Sequence, residues 1–485
     1  MEIKDRSSVI FGNVLPKSAV KKAAKSKAKF IKKFGDDSQT QYHLKAVPIP
    51  SLSFIGAKNL VVSDEPLKLP ENALIVGNIR MGFGHYRISI AMASCAKALG
   101  YEPYWLDLAS FKDSTGSKMI RYQNDLYSKA SRISQKSKLF NALVWEPLNS
   151  EGFRQLTYNA PDQKNSELLV PLFTDIPKDT PYIATHVWPS QAAVHAGMTH
   201  VVNAIPDNWP MALHLSEGAI HAVQTPFAYL GYKMLNGMAK QPLKGIPEDD
   251  LYEIGHYIDH ELVANIPHDC ELRIARIQKG EPIRVLLSVG GAGAGGKLFL
   301  DMVRHLLPYV EEKKVALFLN FGDHLTMWDY LCKKLPELKE KTTTYFDRYA
   351  ELEQFVSTMD EAKVEGIYAI CNKEIFEAVY STNLLMRKVE FLITKPSELA
   401  FYPVVKVMMR HIGGHEVYGA VHAQEYGDST FECPDKKSMN AMLDRLLTDK
   451  ELLIHLQKQI VKLGEQGVYN GGYEAVKLAV NGRHK

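Results

Sequence analysis

One short unit occurs in each half of the chain. Residues 73–77 (Ala-Leu-Ile-Val-Gly) form an apolar run, residues 78–84 a glycine-containing turn, and residues 85–99 a stretch with helical patterning. The same succession returns at residues 284–289 (Arg-Val-Leu-Leu-Ser-Val), 290–296 and 297–310. A buried strand, a tight glycine turn and a helix in immediate succession open a doubly wound α/β domain. Further apolar runs follow each opener. They lie at 102–106, 182–185, 200–205 and 219–224 in the first half, and at 315–320, 366–371, 391–394 and 404–409 in the second. Helical stretches separate most of them, which calls for parallel sheets. The sequence therefore predicts an α/β chain with two Rossmann-like domains facing across a cleft. Ligands are expected at the carboxyl ends of the strands.

Boundaries follow from the same pattern. A basic arm covers residues 1–50, the first Rossmann-like domain 51–265, the second 281–445, and a helical segment 446–485, with a linker read at 266–282. The chain has 485 residues, 46% of them apolar and 23% charged, which excludes a disordered or disulfide-scaffold protein. No apolar run approaches the roughly 18–20 residues of a membrane helix, and the N-terminus lacks a signal-peptide pattern. The five cysteines form no C-x-x-C pair and read as free thiols, so a cytoplasmic location is expected.

Net charge is +3 and unevenly placed: residues 1–34 hold ten Lys or Arg against two acids, +8, which leaves −5 for the remainder. As a helix, this arm would align Lys17, Lys21, Lys25, Lys29 and Lys33. Such a stripe suits an anionic membrane surface, making the protein peripheral to the membrane. A solvated tail is the alternative reading. Nucleic acid is not expected as a partner, since no basic–aromatic interleaving occurs elsewhere.

The run Gly290-Gly291-Ala292-Gly293-Ala294-Gly295-Gly296 is the strongest chemical signal. Glycines let backbone amides approach a phosphate, and the helix that follows adds partial positive charge. Gly291, Gly293 and Gly296 also fit a dinucleotide fingerprint, with Asp323 as a ribose-binding acid. A P-loop reading fails at Leu298, where Ser or Thr would hold magnesium. In the first half, Gly82-Phe83-Gly84-His85 places an imidazole at a helix N-terminus, a position that favours the neutral, proton-accepting form. Asp207, in the proline-flanked stretch 204–210, could orient an acceptor or act as base. His186 and Asp107 also follow strands, and Lys395 at a strand end could offset diphosphate charge. Glu390 and Glu398 match an E-x7-E spacing but should lie at opposite ends of the strand at 391–394. No metal-site or G-x-S-x-G pattern occurs, so metal-independent chemistry and no resident cofactor are expected.

These motifs together resemble inverting glycosyltransferases of the two-Rossmann, GT-B type, in particular the monogalactosyldiacylglycerol synthases and the peptidoglycan N-acetylglucosaminyl transferases. The resemblance rests on Gly82-Phe83-Gly84-His85, on Gly290-Gly291-Ala292-Gly293 and on Ser397-Glu398. It covers residues 72–465. It implies transfer from a nucleoside-diphosphate sugar, UDP-linked in these relatives, to a hydroxyl acceptor that includes lipids. His85 or a nearby acid would be the acceptor-side base, residues 290–295 would hold the diphosphate, and Glu398 the ribose hydroxyls. His415 and Glu416 would stand near the donor sugar. Ala292 replaces the usual hydroxyl residue, and the insert at 112–178 has no counterpart. A sugar-nucleotide 2-epimerase and a non-catalytic nucleotide-sugar-binding protein are the alternatives; a dinucleotide oxidoreductase ranks last.

Overall fold

The computed structural model describes residues 3–80, 82–136, 147, 151–289, 296–411 and 413–483. A small hairpin, β1 (Val9–Ile10) with β2 (Asn13–Val14), precedes helix α1 (Lys17–Phe34). The first sheet contains β3 (His43–Pro48), β4 (Lys58–Ser63), β5 (Ala73–Asn78), β6 (Glu102–Asp107), β7 (Tyr182–Ala184), β8 (Val201–Ala204), β9 (Ile220–Val223) and β10 (Leu251–Glu253). Their order is β10-β9-β8-β7-β5-β6-β4-β3, parallel except where β3 runs against β4. The second sheet contains β11 (Ile283–Ser288), β12 (Val315–Asn320), β13 (Thr342–Phe346), β14 (Gly366–Cys371), β15 (Phe391–Thr394) and β16 (Val405–Met408). It is parallel throughout, in the order β13-β14-β12-β11-β15-β16. Two Rossmann-like domains facing one another are thus the architecture.

Strands β5 and β11 are buried at every position, as central strands covered on both faces must be. Both sheets reverse direction around their first strand. In the first, the chain passes from β5 to β6 on one side and later to β7 on the other. In the second, β12 and β15 flank β11. Each reversal opens a crevice at the strand carboxyl ends. These crevices receive helix α2 (Phe83–Ala98) after β5 and the helix Gly296–Glu311 after β11.

Residues read as a linker are helical instead. Ile266–Lys279 is a helix with Pro267 in its first turn and Gly280 as a left-handed cap. Buried Ile266, Cys270 and Ile277 give it a packing face that sits against the helix Lys450–Glu465. The last helix, Gly471–Asn481, crosses back to the first domain. It packs on α2, with Asn470 bridging Tyr257 and Arg483 pairing with Asp250.

Helix α1 is seated on the first domain, against helix α3 (Thr115–Lys136) and the helix Leu156–Ser166. Ala23 and Phe30 are buried on its inner side, and Lys27 pairs with Glu167 at 2.6 Å. Lys17, Lys21, Lys25 and Lys29 remain exposed on the outside. Among the described residues no helix is long and apolar enough to cross a membrane.

Candidate active site

The two crevices meet. Gly82, with a left-handed φ of 80°, turns the chain from β5 into α2 and brings His85 into the first helical turn. His85 Nδ1 lies 2.6 Å from the Thr185 carbonyl at the end of β7. A carbonyl only accepts, so Nδ1 carries the proton and Nε2 presents a lone pair. Burial pushes the imidazole below its ordinary pKa; the Thr185 bond and the charges of Asp207 and Glu398 pull the other way without restoring it. His85 is therefore a neutral base with a fixed tautomer.

Asp207 stands within electrostatic reach of His85, and its Oδ2 lies 3.0 Å from His214 Nε2. Burial works against the Asp207 charge. The His214 hydrogen bond, with the charges of His214, His415 and His85, overrides it and holds the carboxyl well below the usual range. Nothing in the sequence marks His214, which reaches Asp207 only because the loop after β8 folds back. His186 and Asp107 have structural partners. His186 Nδ1 accepts the Trp188 N–H and caps its helix, while Asp107 accepts the Tyr86 hydroxyl at 2.7 Å and the Ala109 N–H at 2.8 Å.

From the second domain, Ser397 and Glu398 follow β15 at the second crevice. Glu398 Oε1 is 3.7 Å from Nε of Arg87, a residue of α2, so this carboxylate faces the first domain. Arg87 is buried and bridges the domains, donating to the Val379 carbonyl, Thr382 Oγ1 and Asn383 Oδ1. Lys395 Nζ is 2.6 Å from Glu416 Oε1. Burial opposes the lysine charge, but Glu416 and Glu398 more than offset it and raise its pKa. The Lys395–Glu416 ion pair leaves Glu416 committed to the lysine as well as to the cleft. His415 folds back over Gly413, where a Cβ would meet the imidazole at 2.6 Å, and its charge acts on Asp207. Asp323 pairs across the cleft with Arg80 at 3.2 Å. Glu390 is fully buried under Arg276 at 2.7 Å, at the far end of β15 from Glu398, as its spacing in the sequence predicts.

His85, Asp207, Lys395, Ser397, Glu398, His415 and Glu416 are thus all placed at the two facing crevices. Gly290, Gly291, Ala292 and Gly293 lie outside the described residues, between Val289 and Gly296. An aromatic stack closes the mouth: Trp209 and Tyr418 are 4.5 Å apart, Tyr418 and Phe227 4.8 Å, and Arg154 lies 4.3 Å over Trp209. Among the described residues no three His, Cys, Asp or Glu side chains gather as a metal site.

Fold and site define a two-domain α/β protein with acid–base groups gathered at the meeting of two switch points. Residues 9–234 match the model of a domain of unknown function, DUF6937, and residues 246–480 that of a second, DUF6938. No curated protein sequence matches the chain. Among solved structures, the UDP-GlcNAc 2-epimerase from Neisseria meningitidis bound to UDP-GlcNAc is similar at TM-score 0.44 and 11% identity, covering 84% of this chain and 99% of its own. S. aureus MnaA with UDP is similar at 0.42 and 13%, covering 84% and 95%. WaaG, a glycosyltransferase involved in lipopolysaccharide biosynthesis, is similar at 0.41 and 12%, covering 84% and 100%.

Proposed function

We propose that this protein is a glycosyltransferase that moves a sugar from a nucleoside diphosphate, UDP-linked, to a hydroxyl acceptor with inversion. The observation that supports it is His85: neutral, fixed through Nδ1 to Thr185, and opposite the crevice of the second sheet. In this reading Nε2 takes the acceptor proton and the acceptor oxygen attacks the anomeric carbon. The bond from that carbon to the diphosphate breaks, and its electron pair leaves with the phosphate oxygen. The leaving charge is met by backbone amides of the glycine run, by the N-terminus of the helix Gly296–Glu311 and by Lys395, with no metal required. Glu398 accepts the ribose hydroxyls, and Asp207 with His214 orients the acceptor. The exposed lysines of α1 suit an anionic membrane, which would bring a lipid-borne acceptor to a cytoplasmic enzyme. Assaying transfer from a panel of UDP- and other nucleotide-sugars tests this: neither turnover nor nucleotide binding would sink it.

The gathering of Asp207, His214 and His415 around His85 also favours a second reading, 2-epimerisation of the nucleotide sugar. Incubating the donor alone separates the two, because only an epimerase would return an isomeric nucleotide sugar.

A further inference from the structure

A cavity of about 620 Å³ lies outside the cleft, between α1, α3 and the helix Leu156–Ser166. Phe30, Tyr122 and Tyr158 line it with aromatic rings, and Gln123, Asp162 and Asn165 with polar groups. Asp162 and Asn165 are 4% and 3% exposed, yet Asp162 Oδ2 and Asn165 Oδ1 have no hydrogen-bond partner, nor has Gln123 Nε2. Buried polar atoms without partners cost roughly 1–3 kcal/mol each, so three lining one cavity point to a ligand that supplies the missing hydrogen bonds.

The donor set says which ligand. Amide and carboxyl groups on one wall and aromatic rings on another satisfy hydroxyls and C–H faces together, the two surfaces of a sugar ring or polyol. Lys22 and Lys29 of α1 also line the cavity and carry positive charge to its rim. The cavity is continuous in influence with the cleft. Tyr127, one turn beyond Gln123 on α3, feels the charges of Lys395, Asp207 and Glu416, and in turn acts on Tyr158.

We propose that the cavity between α1, α3 and the helix Leu156–Ser166 binds a polyhydroxylated ligand, a sugar ring or sugar headgroup, that serves as acceptor. The acceptor role rests on the transferase reading; the binding site does not. Saturation-transfer NMR on the full chain, with methyl β-D-glucopyranoside, methyl β-D-galactopyranoside and N-acetylglucosamine, reads binding directly. Phosphatidylcholine vesicles carrying a glucosyl diacylglycerol form a second arm, which separates a lipid headgroup from a free sugar. Asn165→Ala should weaken binding at least tenfold. Gln123→Leu, at a half-buried site where folding is not at stake, should do the same. Binding unchanged in both variants, or absent from every probe with the wild type, overturns the proposal. UDP titrated in the same samples reports on the transferase reading separately: a wild type that takes up sugar but not UDP would overturn that reading and still support the cavity.

Discussion

Oε2 of Glu398 lies 3.2 Å from the point where a Cβ would stand on Gly84, so the glycine turn of one domain is shaped to admit a carboxylate from the other. The two residues belong to different sheets and different crevices. Their approach places the acid that would hold a ribose one residue from the imidazole that would take a proton. Replacing Glu398 by Gln keeps its shape and removes its charge. UDP binding by Glu398→Gln should weaken about 10-fold, corresponding to ~1.4 kcal/mol for one charged hydrogen bond, with the melting temperature unchanged. Titration calorimetry checks it, and equal affinities would remove Glu398 from the nucleotide site.

His85→Ala should lower kcat by roughly 10²–10⁴-fold while UDP affinity holds, since a general base acts on the chemical step and not on the nucleotide. The pH profile carries a sign. The base works when neutral, and burial lowers its pKa, so the acid limb of the wild-type rate should have its midpoint below the ordinary histidine value of 6.5. A midpoint above that value contradicts the assignment.

Asp259 is fully buried, donated to by Asn383 Nδ2 at 2.9 Å, and burial lifts its carboxyl to about 8 from 3.8. A group that holds its proton more tightly when folded stabilises the fold below its unfolded pKa. That contribution declines between pH 3.8 and about 8 and is gone above. Urea melts should therefore show stability falling as pH rises from 5 to 9. Asp162, pushed by burial to about 7, acts in the same direction. Asp259→Asn should flatten the slope without abolishing it; an unchanged slope would show that Asp259 does not titrate there.

Much of this arrangement could be read from residue order. The openers at β5 and β11 were legible because a strand buried on both faces must be apolar throughout and must end in a tight turn. His85, Lys395 and Glu398 follow strand ends in sequence, and strand ends are where parallel sheets put their sites. The helix Ile266–Lys279 was hidden because its buried face includes Asp269, Arg273 and Arg276, which read as solvent-facing until their partners are known. Asp269 meets Arg387, and Arg276 meets Glu390, more than a hundred residues away in each case. His214 and Arg87 were illegible for the same reason: each acquires its role from a contact that no local pattern encodes. The short antiparallel pair of β3 and β4 lacks the clean alternation that would have announced it.

The aromatic stack at the mouth joins the domains through Tyr418, held between Trp209 and Phe227. A double-mutant cycle on Trp209→Ala and Tyr418→Ala should return a coupling of about 0.5–1.5 kcal/mol in chemical melts. Independent, additive losses would mean the rings do not hold the domains together.

Charge reversal on the outside of α1 separates membrane attraction from folding, because Lys21 and Lys25 are exposed while Ala23 and Phe30 carry the packing. Lys21→Glu with Lys25→Glu should weaken binding to phosphatidylserine vesicles by at least ~1 kcal/mol per residue, about fivefold each, with no change in melting. Sedimentation with vesicles measures it. Equal partitioning of both proteins would leave α1 as a packing element alone.

The crossing of the last helix, Gly471–Asn481, onto α2 has a consequence for how the molecule comes into being. A ribosome making this chain releases all the strands of the first sheet long before the segment that covers part of α2. Cys95, whose sulfur would lie 2.7 Å from a Cβ on Gly472, waits uncovered for that segment throughout synthesis of the second half. The domain that begins first is therefore completed last, and a chain stopped short near its end would leave a seam open in its oldest part.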